Sequence, residues 1–287
     1  MTVIQWYPGH MAKAKRLMQE DMRIVDLSLV VLDARIPKSS YNPDFDKILR
    51  QKPVLMVLNK RDLADSAATK RWLTALPQRF PGCVGAVAIN AQQTQGVKVL
   101  ERQIMQAAEP LFAELAAKGR RRRPVRVMVV GSPNTGKSTL INSLLPKAVS
   151  KTGNKPGVTR GKQWVRLGEQ IELLDTPGVL WPKFEQPEVA FRLAVTGAIS
   201  ETVYDYYQVS LQLVEWLTQH GAAELAARYK LAVADLTGQP PEMVLEAIGR
   251  ARGLLAAGGV VRLEETARLL LAEFRNGKIG SFTLDEI

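Results

Sequence analysis

At 287 residues the chain is long enough for two domains of ordinary size, and 46% hydrophobic with 23% charged residues excludes disorder, collagen-like repeats and coiled coil as the main architecture. Lys and Arg number 39 against 28 Asp and Glu, and the net charge of +11 favours a polyanionic partner, with nucleic acid first. Cys83 is the sole cysteine, which excludes an internal disulfide or a Cys-rich zinc site, and neither a membrane span nor a signal peptide is legible, so the expectation is a cytoplasmic protein with no membrane partner.

In chain order, Leu27 to Asp33, Pro53 to Asn59, Val84 to Asn90, Val125 to Gly131 and Ile171 to Asp175 are short apolar runs that close on a polar residue or Gly. They read as strands, the first four buried on both faces. Ser66 to Ala75 and Val97 to Lys118 between them have helical spacing, and strand alternating with helix predicts a mainly parallel sheet covered by helices. Val189 to Gly197, Val203 to His220, Ala222 to Leu231, Pro241 to Arg252 and Leu263 to Asn276 are Ala- and Leu-rich with helical spacing, which predicts an all-helical second domain over 184–287 after a first domain over 1–183. The Arg120 to Arg123 run joins a helix to the Val125 strand, as a solvated linker or as an arm for phosphates. Trp164 and Trp216 read as core residues, and His220 as a cation suited to a helix C-terminus.

Three motifs carry chemistry. Asn59, Lys60 and Asp62 lie in an NKRD turn at a strand end, where a carboxylate can accept from guanine N1–H and the exocyclic amine, donors that adenine does not present. GSPNTGKST, Gly131 to Thr139, sits between a strand and a helix, as a phosphate-binding loop requires. Its backbone N–H groups curl round phosphate oxygens, Lys137 reaches the β- and γ-phosphates, and the Ser138 hydroxyl ligates Mg²⁺. DTPG, from Asp175 to Gly178, supplies a carboxylate to the Mg²⁺ shell and an N–H to the γ-phosphate. Together they point to a guanine nucleotide, bound also through Asn134, Thr135, Gly136 and Thr139.

NKRD precedes the phosphate loop, the reverse of the usual order. With WYPGHMAK (Trp6 to Lys13), DARIP (Asp33 to Pro37), PGVT (Pro156 to Thr159) and FRNGK (Phe274 to Lys278), the sequence resembles the circularly permuted GTPases of ribosome assembly over nearly its whole length. The resemblance implies a permuted α/β P-loop domain followed by a small helical domain that binds RNA or the ribosome. It implies that Asn90 and Ala91 form the base-contacting loop, with the Ala91 N–H on guanine O6, and that Thr159 is the switch threonine on Mg²⁺. Val179 stands where many GTPases carry a water-orienting Gln, so intrinsic hydrolysis is expected to be slow.

The missing group has two candidate sources by resemblance, K⁺ held partly by Asn134 and His10 in the N-terminal segment. On sequence alone, His10 reads equally as a helix-start residue that binds rRNA or nothing, and Asn134 as a turn residue. Lys13, Lys15 and Arg16, and Lys147, Lys151, Lys155, Arg160 and Lys162 around the switch loop, suit an RNA surface. The expected partners are GTP and GDP and the large ribosomal subunit with its rRNA, bound by a monomer. The permutation places DTPG directly ahead of the helical segment, so nucleotide state is expected to reorient it. A GTP-gated RNA-binding switch with negligible turnover and a tRNA-acting GTPase remain as alternatives.

Overall fold

The computed structural model describes residues 9–50, 52–80, 82–144, 163–181 and 186–287. The described elements run α1 (Gly9–Asp21), β1 (Leu27–Asp33), α2 (Phe45–Ile48), β2 (Val54–Asn59), α3 (Ser66–Arg79), β3 (Cys83–Ala88), α4 (Thr94–Ala117), β4 (Val125–Val130), α5 (Lys137–Leu144), β5 (Gln163–Leu167), β6 (Ile171–Asp175), α6 (Pro187–Val195), α7 (Tyr206–His220), α8 (Ala222–Tyr229), α9 (Pro241–Ala251) and α10 (Leu263–Arg275). Each expected strand and helix is present, shifted by a few residues at most. The chain divides into two compact units, one with the sheet and one with the helices from α6 onward.

The six strands form one sheet in the order β3-β2-β1-β4-β6-β5. The pairs β1/β2, β1/β4, β2/β3 and β4/β6 are parallel, and β5 runs antiparallel to β6. Every residue of β1 and of β2 is buried, which is why these strands read as continuous apolar runs without alternation. Val97, Leu100, Ile104, Ala108 and Phe112 put one stripe of α4 into the core against β1, β2, β4 and β6, joined by Leu140, Ile141 and Leu144 of α5. Burial of each such side chain stabilises by about 1.5–3 kcal/mol. The chain runs outward from β1 to β3, crosses back through α4, and starts β4 on the other side of β1. The loops after β1 and β4 therefore diverge, leaving the crevice where ligands of such sheets bind.

In the helical unit Asp205 caps α7 by accepting from the N–H groups of Tyr207 and Gln208 at 2.9 and 3.2 Å. Glu273 of α10 takes Arg228 and Tyr229 of α8, the phenol at 2.9 Å, and tethers the two helices. His220 stacks on Trp216 with ring centroids 4.6 Å apart.

The structure differs from two sequence expectations. Trp164 is not core: it lies on edge strand β5, 37% exposed, with the Arg126 guanidinium 5.7 Å from its ring centre. The arginine run is exposed throughout, as a solvated linker or an arm would be, with Arg123 paired to Asp26 at 2.7 Å and Arg122 lying 3.8 Å over the Phe112 ring. Thr283–Ile287, expected with the helices, group with the sheet unit. There Leu284 N–H donates to the Arg35 carbonyl at 2.8 Å, and the Asp285 carboxylate accepts from the Ser39 N–H and hydroxyl at 2.7 and 2.6 Å. Among the described residues no helix is long and apolar enough to cross a membrane.

Candidate nucleotide site

The ends of β1, β2, β4 and β6 bring the motifs to one edge of the sheet. Asn59, the last residue of β2, is 2% exposed and joins three loops. Its Nδ2 donates to the Thr135 carbonyl at 2.9 Å and its Oδ1 accepts the Ala91 N–H at 3.0 Å. A side-chain amide suits this post because it donates and accepts at once. Gly136, at φ 92°, lets the phosphate loop pass close by: a Cβ there would lie 2.2 Å from Asn59 Nδ2.

Lys60 adopts a left-handed turn at φ 59° and sends its Nζ to the Asn134 carbonyl at 2.5 Å and to Asp33 Oδ2 at 2.9 Å. The following turn, Arg61–Leu63, leaves Asp62 exposed. The Asn90–Ala91 loop packs on the NKRD turn: the Ala91 N–H donates to the Asn59 side chain and the Gln92 N–H to the Asn90 side chain at 2.9 Å, which sets this loop beside the turn expected to contact the base.

Lys137 opens α5 and is 6% exposed, its Nζ donating to the carbonyls of Gly131 and Ser132 at 3.0 and 2.7 Å. Burial pushes its ammonium down to about 8; Asp175 opposes the shift and Lys60 adds to it. Ser138 and Thr139 follow, both exposed at the helix start. Asp175 ends β6, and Thr176 ties the DTPG turn to β4 by donating to the Val129 carbonyl at 2.6 Å. A Cβ on Gly178 would lie 2.8 Å from Lys137 Nζ and 2.9 Å from Pro133 Cα, so only glycine lets this turn rest on the phosphate loop.

Val179 donates to the Gly131 carbonyl at 3.3 Å, and its side chain is buried at 2% exposure. It brings no polar group to a water.

Asn134 has φ 57° and an exposed side chain. His10 falls in the first turn of α1, with its side chain outside the described part of the structure; Thr159 and the lysines and arginine from Lys147 to Lys162 lie outside it altogether. Lys15 pairs with Asp44 at 2.8 Å and Arg16 with Glu20 at 3.3 Å, so part of the N-terminal basic cluster is locally neutralised.

The sequence reading gave no role to the loop after β1, which braces the site. Ser132 of the phosphate loop donates to the Ser40 carbonyl at 2.7 Å, and Asn42 donates to the Val179 carbonyl at 3.1 Å. Asp33, with 3% exposure, takes both Arg35 and Lys60. The available signal was DARIP itself, a charged pair closing an apolar strand at the edge where the other motifs lie.

A phosphate loop, a γ-phosphate-sensing turn and an NKxD turn at the switch point of a sheet with permuted motif order define a circularly permuted P-loop GTPase. Residues 126–244 match the family described as 50S ribosome-binding GTPase. Proteins named Ribosome biogenesis GTPase A from Bacillus cereus and Priestia megaterium are 43% and 44% identical, with 99% of this chain and 94% and 96% of theirs covered. Mitochondrial ribosome-associated GTPase 1 of Mus musculus is 32% identical over 99% of this chain and 90% of its own. Among solved structures, a GDP-bound YlqF superposes with a TM-score of 0.63 at 26% identity, covering 94% of this chain and 99% of its own. GNP-bound YlqF from T. maritima gives 0.61 at 27% identity over 96% and 98%. The chain belongs to the ribosome biogenesis GTPase A family, and its activity is GTP hydrolysis.

Proposed function

We propose that this GTPase binds a maturing large ribosomal subunit through its rRNA, as a monomer in the cytoplasm, and couples GTP hydrolysis to late assembly of that particle. The convergence of Asn59, Lys60, Lys137, Asp175 and Gly178 at one sheet edge supports the chemistry, and near full-length likeness to proteins named for ribosome biogenesis supports the setting. The net charge of +11 suits rRNA phosphates. The helical unit carries part of that contact.

The reaction is in-line attack of water on the γ-phosphate. Asp62 selects guanine and Asn59 holds the turn that presents it. Lys137, released from the Gly131 and Ser132 carbonyls, binds the β- and γ-phosphates, and the Gly178 N–H meets the γ-phosphate. The hard oxygen donors of Ser138 and Asp175, at the start of α5 and the end of β6, fit Mg²⁺, with Thr159 as a further ligand. When bound, the ion supplies neutralisation of the charge on the phosphate oxygens. Since Val179 offers nothing to the water, the remaining stabilisation comes from K⁺ beside Asn134, from His10 or from the particle.

GTP turnover in KCl and in NaCl at equal ionic strength, with and without purified large subunits, tests the reading. Faster turnover in KCl and strong stimulation by the particle are expected, and His10→Ala should lower the stimulated rate while sparing GTP affinity. Equal rates in both salts would remove K⁺. A particle that binds without stimulating would leave a GTP-gated RNA-binding switch.

A further inference from the structure

One buried carboxylate carries two cations at the edge of the nucleotide site. Asp33 closes β1 at 3% exposure, and Arg35 grips it with two parallel bonds, Nε to Oδ1 at 2.9 Å and Nη2 to Oδ2 at 2.7 Å. The Arg35 N–H adds a third at 3.1 Å, and the Asp33 N–H is fixed by the Ser40 hydroxyl at 3.1 Å. Lys60 Nζ makes the fourth bond to the carboxylate, at 2.9 Å, and donates onward to the Asn134 carbonyl. The aliphatic stem of Lys60 thus spans from the base-selecting turn to the tip of the phosphate loop, held at its far end by two oxygens. The Asn134 carbonyl alone is a neutral acceptor, and a charged acceptor makes a bond roughly twice as strong. A free lysine ammonium would be drawn into water; the buried carboxylate is what keeps it across the site.

We propose that Asp33 is a positioning residue for nucleotide retention: by fixing Lys60 against the Asn134 carbonyl it ties the NKRD turn to the phosphate loop, so that base and phosphates are released together and slowly. This rests on the reading of the NKRD turn as the guanine contact. A pair with Arg35 that merely closed β1 would act without regard to Lys60. Positioning acts through Lys60, and that difference is measurable.

The experiment is release of the fluorescent probe mant-GDP from the full chain, comparing wild type, Asp33→Asn, Lys60→Ala and the double variant, with the thermal midpoint of each nucleotide-free protein followed in parallel. Release from Asp33→Asn should be about ten- to a hundredfold faster, the range for loss of a hydrogen bond to a charged group. In the Lys60→Ala background the same substitution should change release by less than about twofold, the two sites being one unit. Asp33→Asn/Arg35→Gln removes the buried charges as a pair, so it keeps the comparison available if the single variant does not fold. It should release the probe as fast as Asp33→Asn and be equally insensitive to Lys60→Ala. Release from these Asp33 variants at the wild-type rate, or effects that multiply in the double variant, would overturn the proposal. Wild-type release from Lys60→Ala would overturn it as well, whereas an Asp62→Asn variant that keeps the wild-type preference for GTP would overturn the underlying reading of the NKRD turn, and the proposal with it.

Discussion

At single residues the proposed nucleotide site is tested most directly through Asp62 and Gly136. The Asp62 carboxylate offers two acceptors on an exposed turn, matching the two donors of a guanine edge. In Asp62→Asn one acceptor becomes a donor, which a xanthine carbonyl can satisfy and guanine cannot. Competition binding should show the wild type preferring GTP over ATP, and the variant losing GTP affinity by about a hundredfold or more while gaining xanthosine triphosphate. Gly136→Ala acts through space instead. The added Cβ would fall 2.2 Å from Asn59 Nδ2 at a φ of 92°, so backbone strain of about 1–3 kcal/mol joins the displacement of the one side chain that bridges three loops. Calorimetric titration should show at least about tenfold weaker nucleotide binding.

At the scale of elements, two carboxylates hold segments that pattern alone does not fix. Burial works to raise the Glu273 pKa, but bonds from Arg228 and Tyr229 and the charge of Arg252 prevail and hold it below the ordinary glutamate value. A carboxylate lowered on folding contributes stability above its unfolded pKa, and that contribution is lost as pH falls through the lowered value. Calorimetric unfolding of the wild type should therefore weaken on acidification below about pH 5. Glu273→Gln should cost about 1–3 kcal/mol at neutral pH and show a flatter acid dependence, since the two arginines keep partial access to water. Asp285 caps Ser39 from the last strand-free stretch of the chain. Asp285→Ala strands a buried N–H and a hydroxyl, so the unfolding transition of the sheet unit should fall by about 1–3 kcal/mol while that of the helical unit stays in place.

For the whole molecule, charge and connectivity make separate predictions about the ribosomal particle. Binding through phosphates releases counterions, so at six to ten contacts affinity should drop by about 10³- to 10⁵-fold between 50 and 200 mM salt. Charge alone gives no dependence on nucleotide. The DTPG turn rests on the phosphate loop through Gly178 and leads straight into the helical unit, so a non-hydrolysable GTP analogue should favour association and GDP should weaken it. Cosedimentation with large subunits over a salt series reads both terms. Equal retention with the two nucleotides would leave RNA binding with an idle GTPase unit.

By itself, the sequence determined the elements and the places of the motifs at their ends. An apolar run that ends in Asp33, Asn59 or Asp175 is local, and so is a glycine-rich turn between strand and helix; their meaning needs no partner far along the chain. The inverted motif order was equally visible, because permutation is a property of the string. What only the tertiary structure decided is where distant groups meet. Asp33 and Lys60 are 27 positions apart, Lys60 and Asn134 are 74 apart, and Ser39 and Asp285 are 246 apart. No periodicity encodes such pairs: Asp33 meets Lys60 because β1 pairs with β2, Lys60 meets Asn134 because the crossover sets β4 beside β1, and Ser39 meets Asp285 because the last residues of the chain pack on the sheet unit. For the same reason the bond from the Ala91 N–H to Asn59 is not legible in the sequence: only packing brings that buried asparagine there. Trp164 was misread because β5 pairs on one side only, and the edge of a sheet is fixed by strand order, a long-range outcome that hydrophobicity does not record.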